Sequence, residues 1–185
     1  GNVTGIYYGS CDTCVVAPPA APAALSLQGI LDFTTPSFGN DGKAIHVVAT
    51  DNIADLSAYG IGVANNGGGT DGQEYTFDSI SVNAGDHILV ARTPSAMASY
   101  LGACYSEFDH VLLATSAISQ NGDDAIELFY EGSVIETFGD IDTDGTGTPW
   151  DYVDSWAYKD ASGTVTFDST SYWIFGGTDC TDNST

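Results

Sequence analysis

Apolar and polar positions along this chain fall into short runs, each broken by Gly, Asn or Asp. Leu25–Phe33 reads as the first strand of the body. A turn over Pro36–Gly42 leads to Lys43–Ala49, a compact β-branched strand. Asp55–Tyr59 feeds Gly60–Ala64, a further strand, and Asn65–Gly72 is an Asn/Gly-rich loop. Glu74–Phe77 alternates polar and aromatic positions. Asn83–Asp86 turns into His87–Ala91. The apolar runs at 45–49 and 87–91 carry no alternation, so both faces are expected to be buried.

Thr93-Pro94 opens the one convincing helix, Pro94–Leu101. Threonine suits an N-cap, and proline suits the first helical position, where its missing N–H costs nothing. The strands His110–Ala114, Ala125–Phe129 and Val134–Phe138 follow. Asn121–Asp124 is a turn, and Glu131-Gly132 is the tight corner of a hairpin. Ser155–Tyr158, Val165–Phe167 and Tyr172–Phe175 complete the series. Roughly ten short strands with Gly/Asn/Asp turns predict an all-β fold, a sandwich or barrel with one short helix near 94–101.

Composition adds two constraints. The chain has 185 residues, a length that suits one domain, and 43% of them are hydrophobic, enough for a packed core. Residues 1–23 read as a separate arm that ends in A-P-P-A-A-P-A-A (Ala17–Ala24), which is semi-rigid linker chemistry. The domain proper is assigned to 24–185. The arm is either a spacer to something upstream or a segment laid on the domain by a disulfide.

The charge is lopsided. Asp and Glu number 25, against three basic residues, Lys43, Arg92 and Lys159, for a net charge of −22. Such a field repels phosphate backbones and anionic membranes, so nucleic-acid partners are not expected. It suits either a solvated acidic surface or the binding of divalent cations. No apolar run is long enough to cross a bilayer as a helix; Val15–Leu31 is interrupted by Pro18, Pro19 and Pro22.

The four cysteines, Cys11, Cys14, Cys104 and Cys180, point to an oxidising compartment. The favoured pairing is Cys104–Cys180, with Cys11–Cys14 bridged locally or paired elsewhere. Neither a redox nor a zinc reading of C-D-T-C finds its usual context. Sequons at Asn2 and Asn183 matter only in a eukaryotic secretory pathway.

The sharpest chemical motif is D-I-D-T-D-G-T-G-T-P-W-D, Asp140–Asp151. Asp140, Asp142, Asp144, Gly145 and Asp151 match the spacing of an EF-hand-type loop, and Thr146 offers its backbone carbonyl. Alternate carboxylates on a turned loop suit one hard cation, so calcium is the expected ion. Asp123, Asp124 and Asp154 are either further ligands or turn residues. His46, His87 and His110 lie on three strands, as a metal site or, more commonly, as separate hydrogen-bonded side chains. Trp150, Tyr152, Trp156, Tyr158, Tyr172 and Trp173 read as core, with a sugar-stacking platform as the alternative. No nucleophile elbow, zinc-protease, P-loop or dinucleotide motif is present.

Several motifs in order carry a family resemblance. They are K-A-I-H-V (Lys43–Val47), A-D-L-S-A-Y-G-I (Ala54–Ile61), Y-T-F (Tyr75–Phe77) and A-G-D-H-I-L-V-A (Ala84–Ala91). N-G-D-D-A-I-E-L-F (Asn121–Phe129), V-I-E-T-F-G-D (Val134–Asp140), D-G-T-G-T-P-W-D-Y (Asp144–Tyr152) and D-S-W-A-Y (Asp154–Tyr158) follow. Over about residues 25–178 the chain resembles the lamin-tail domain of secreted and surface microbial proteins. That resemblance implies an immunoglobulin-like β-sandwich serving as an accessory module, without catalysis. His46 departs from the family's usual Glu, and the cysteine arm lies outside the match. The expected function is a secreted or cell-surface, non-catalytic attachment module, calcium-stabilised, with an extracellular macromolecule or surface polymer as partner. The alternatives are an accessory domain of a larger extracellular hydrolase of nuclease or phosphatase type, and a metal-dependent hydrolase using the acidic loop.

Overall fold

A computed structural model describes residues 24–35, 39–167 and 171–181. The arm with Cys11 and Cys14, and both sequons, lie outside the described residues.

Two open sheets make up the fold. The larger is built on β1 (Leu25–Thr35) and β2 (Gly39–Ala49), an antiparallel pair. Gly39–Gly42, expected as a turn, is thus the start of β2. On the β2 side stand β5 (His87–Ala91) and β6 (His110–Leu113). On the β1 side stand β9 (Ser155–Lys159) and β10 (Trp173–Phe175), in the order β10-β9-β1-β2-β5-β6. The smaller sheet runs β4-β3-β7-β8, with β3 at Tyr59–Ala64, β4 at Tyr75–Thr76, β7 at Ala125–Tyr130 and β8 at Ser133–Phe138. Val165–Phe167, expected as a strand, contributes only a bridge from Val165 to Trp173.

The inner faces of the two sheets share one apolar cluster. β1, β2 and β5 contribute Leu25, Leu27, Ile30, Ile45, Val47, Ile88 and Val90. The smaller sheet adds Ile61, Val63, Ile126 and Leu128. A bulge in β1 makes this possible. The register passes from Leu27↔Val47 to Gly29↔His46, leaving Gln28 unpaired. One extra residue flips the alternation. Leu27 and Ile30 therefore both face inward, and Gly29, Leu31 and Phe33 face outward.

The expected all-β, immunoglobulin-like sandwich of the lamin-tail type is not what forms. Among the described residues the fold is mixed α/β, with 15% helix and 40% strand, and its sheets are open and uncurled. One connection shows the difference most plainly. The helix α1 (Pro94–Leu101) lies in the expected place, with Pro94 in its first turn, although Thr93 makes no side-chain cap bond. It is not an ornament on a sandwich, however. Together with the 3-10 turn Gly102–Glu107 it crosses from β5 to β6, which pair in parallel. A parallel pair cannot be joined by a tight hairpin and requires such a crossover. The crossover packs on the outer face of the larger sheet, where Met97 joins Phe33, Ala44, Leu89 and Ala91 in a second apolar cluster. The Tyr100 ring stacks on Phe33 at 3.9 Å between centroids.

The β7–β8 corner does follow the sequence. Glu131 and Gly132 have φ of 48° and 75°, the pair of positive values that a tight hairpin turn of primed type requires.

The expected Cys104–Cys180 bridge is absent; both thiols are free and exposed. Cys104 lies in the 3-10 turn after α1. Cys180 has its Sγ 3.0 Å from Ser155 Oγ, beside β9.

One ion pair is buried within the larger sheet. Lys43 Nζ lies 2.5 Å from Asp32 Oδ1, on directly paired residues of β2 and β1. Burial pushes the Asp32 carboxyl up, and the Lys43 ammonium pulls it back down. Lys43→Met would leave that carboxylate uncompensated, and is expected to cost about 3–5 kcal/mol in urea unfolding. Adding Asp32→Leu to Lys43→Met should recover most of the loss, because a buried pair is replaceable by apolar groups of similar size.

Candidate functional site

The crossover covers only part of the outer face of the larger sheet. Over the rest lies a groove of about 550 Å³. Its floor is Gly29 and Leu31 of β1, flanked by Trp156 and Tyr158 of β9. Tyr100 and Phe108 stand at the side of the crossover, and Cys104 and Glu107 also line it. Alternation along β9 explains the aromatics. Ala157 points into the core, so its neighbours Trp156 and Tyr158 point out. The absent side chain at Gly29, opposite Tyr158, deepens the floor.

The expected aromatic cluster is therefore split. Trp150, Tyr152 and Trp173 are core, and Tyr152 donates its hydroxyl to the Asp124 carbonyl at 2.8 Å. Trp156, Tyr158 and Tyr172 are not core; Tyr158 and Tyr172 are 39% and 43% exposed.

Two of the three histidines meet at the groove. His46 on β2 and His87 on β5 both face outward, and His46 Nε2 lies 2.9 Å from His87 Nδ1. The edge of Phe108 packs against the His46 ring, with centroids 5.0 Å apart. His46 is 8% exposed. Burial, and then the neighbouring His87, lower its pKa to about 4. His110 stands apart, with Nε2 3.3 Å from Asp86 Oδ2. The sequence placed these residues on strands but held no signal for which pair would meet. His46 and His87 are far apart in the chain, and only the β2–β5 register joins them.

The 140–151 loop is a separate feature. Asp140 accepts from Asp142 N at 3.0 Å and from Thr143 Oγ1 at 2.9 Å. Asp144 accepts from Thr146 N at 2.9 Å, which holds its carboxyl below the usual range. Asp151 accepts from Gly147 N at 2.7 Å and Val153 N at 3.1 Å. Thr146 donates its hydroxyl to Asp123 at 2.8 Å. Asp142, whose N–H caps Asp140, lies near Gly69. Each of these bonds stiffens the turn, but the oxygens do not gather at one point. Among the described residues no group of three or more His, Cys, Asp or Glu side chains is placed to hold a metal ion. As arranged, the loop does not fit a calcium ion. Gly145 also has a different task from the sharp turn expected of it. A Cβ there would meet the Trp150 ring at 2.6 Å and the Asp123 carbonyl at 2.7 Å, so glycine permits a close approach.

Asp124 is fully buried and accepts from Asn66 N at 2.8 Å and Asn121 N at 2.9 Å. Asp154 Oδ1 takes the Thr34 N–H at 3.0 Å. Both carboxylates thus fix turns to neighbouring segments.

No protein-family model, curated protein or solved structure matches this chain. The lamin-tail resemblance stands on its motifs alone.

Two predictions follow from this geometry. His46 has a folded pKa below its unfolded value, so its contribution to stability is present above about pH 6.5 and is lost as pH falls toward 4. His46→Gln carries no titrating group. Urea unfolding should show the variant gaining on the parent between pH 6.5 and 4, by on the order of 3 kcal/mol. A constant difference across that window would mean that the imidazole is not held neutral. As for the loop, carboxylates tied to its own N–H groups should answer CaCl2 and NaCl alike. Melting curves at equal ionic strength are expected to coincide. An extra rise in CaCl2 that Asp144→Ala removes would assign the loop to chelation instead.

Proposed function

We propose that this chain is a non-catalytic binding module of a secreted or cell-surface protein, and that the groove holds an uncharged, ring-bearing polymer such as a neutral polysaccharide. The observation that carries this reading is the half-covered sheet face. It presents Trp156 and Tyr158 side by side over a floor without a side chain at Gly29. Contiguous apolar surface left open on a folded domain marks an interaction site. Aromatic rings offer flat apolar faces to the C–H faces of sugars, and the His46–His87 pair and Glu107 supply the few polar groups that orient a ligand. The net charge of −22 disfavours polyanions, and the apolar, aromatic lining of the groove suits an uncharged chain. The lamin-tail motifs support an accessory role. No helix among the described residues is long and apolar enough to cross a membrane. The acidic loop, with its carboxylates turned onto its own backbone, lends no support to a metal-dependent hydrolase.

Trp150 and Trp173 are buried, so a ligand in the groove reports through Trp156. Titration with neutral oligosaccharides should give a saturable change in tryptophan fluorescence. Trp156→Ala should abolish it. Gly29→Val should do the same by filling the floor. A Cβ at Gly29 meets nothing closer than 3.4 Å, so the strand accommodates it and the unfolding curve should stay near that of the parent. If no neutral glycan perturbs the fluorescence while extended peptides do, the groove belongs to a protein partner.

A further inference from the structure

We infer that His46 and His87 form an open two-imidazole site for a late first-row divalent metal ion, Cu2+ in preference to Zn2+, facing the groove. The two nitrogens are hydrogen-bonded, and their separation is also one that neighbouring ligands on one ion can take. A metal that holds two imidazole nitrogens at about 2.0–2.1 Å with its bonds near a right angle sets them about 2.9 Å apart. His46 Nε2 and His87 Nδ1 are 2.9 Å apart. At imidazole nitrogens Cu2+ binds more tightly than Zn2+ in the general order of divalent affinities.

Both rings are positioned by rigid elements. Their strands pair directly, and the cross-strand partners His46↔Leu89 and Val48↔His87 put both side chains on the outer face. Phe108 braces the His46 ring from the crossover side. Without a metal, the nitrogens share one ring proton as a hydrogen bond. Binding moves that proton to the far nitrogen of its own ring, and a turn of the rings about their Cβ–Cγ bonds swings both lone pairs from each other toward the ion.

The groove supplies what such an ion lacks. Cys104 and Glu107 line it, one a soft donor and the other a negative charge. Neither completes a third protein ligand as placed, since no group of three donors gathers among the described residues. The remaining positions are therefore open to water or to a ligand lying in the groove. The abundant carboxylates elsewhere prefer hard cations and do not compete for an ion that favours imidazole. The site stands on the histidine geometry, and does not rest on which polymer occupies the groove.

The test is calorimetric titration with CuCl2 and with ZnCl2 of the folded chain whose thiols have first been alkylated, so that they neither reduce Cu2+ nor bind the ions, in an excess of MgCl2 and CaCl2 that occupies the acidic surface. One ion per chain should bind, Cu2+ more tightly. The electron paramagnetic resonance spectrum of the Cu2+ form should show coupling to two nitrogens. His87→Gln should abolish this binding, and His110→Ala should leave it unchanged. His46→Gln should also abolish it, and its melting curve, measured alongside, shows that the fold persists. Stoichiometric binding that survives His87→Gln, an oxygen-only Cu2+ spectrum, or no binding at all would overturn the site. Glycan titrations run in EDTA keep this outcome separate from that of the groove reading.

Discussion

β1 is paired with β2 along most of its length and with β9 over Gly29–Asp32, and so lies inside the larger sheet. What it must do is cover two faces. The inner face is closed by the smaller sheet through a shared apolar cluster. Among the described residues, the outer face is covered where α1 and the following 3-10 turn lie on Phe33, Ala44 and Leu89. The groove is the remainder of that face. It exists because the crossover is short and β1 and β9 extend beyond its cover. The bulge at Gln28 sets which residues meet this condition, since it turns Gly29 and Leu31 outward while keeping Leu27 and Ile30 in the core.

The scarce positive charges are used inside this arrangement. Lys43 pairs with Asp32 between β1 and β2. Lys159 on β9 pairs with Glu136 on β8 and so ties one sheet to the other; the other oxygen of Glu136 accepts from Leu27 N at 2.9 Å. Arg92 lies 3.6 Å from Asp41. Each basic side chain thus faces a carboxylate. Many of the remaining acids act as acceptors for turns, as Asp55 does for Ser57 and Asp160 for Ser162. A carboxylate beside unpaired backbone N–H groups is a local structural device. A chain with many such turns accumulates acids, and among the described residues no three of their side chains gather to hold an ion.

Much of the local structure was legible from the sequence. The helix at 94–101, the hairpin at Glu131-Gly132 and the strands near 43–49, 87–91, 125–129 and 134–138 follow from proline, glycine and β-branched patterns. Pairing was not legible, because apolar periodicity states that a strand is buried and not beside which strand, nor in which direction. The parallel β5–β6 pair, and with it the mixed α/β class, was lost for that reason. The groove had a readable trace in S-W-A-Y, Ser155–Tyr158, where small and aromatic residues alternate. Treating all six aromatics as one cluster hid it. The loop shows the reverse case: carboxylate spacing is visible in a sequence, but the direction in which each oxygen points is not.

Among the described residues, the open sheets end in strands that pair on one side only. β8 is one, with Val134 42% exposed, and β6 is another. Such rims are templates on which a second chain can add itself. Here the safeguard is not a proline or a covering helix but the field of the whole molecule, since two copies each carrying −22 repel before their rims can align. That repulsion reaches only as far as the ionic atmosphere allows, about 10 Å in 0.1 M salt and about 3 Å in 1 M. The colloidal behaviour of this protein is therefore a property of its medium as much as of its fold: dilute electrolyte keeps the copies apart, and brine lets strand meet strand.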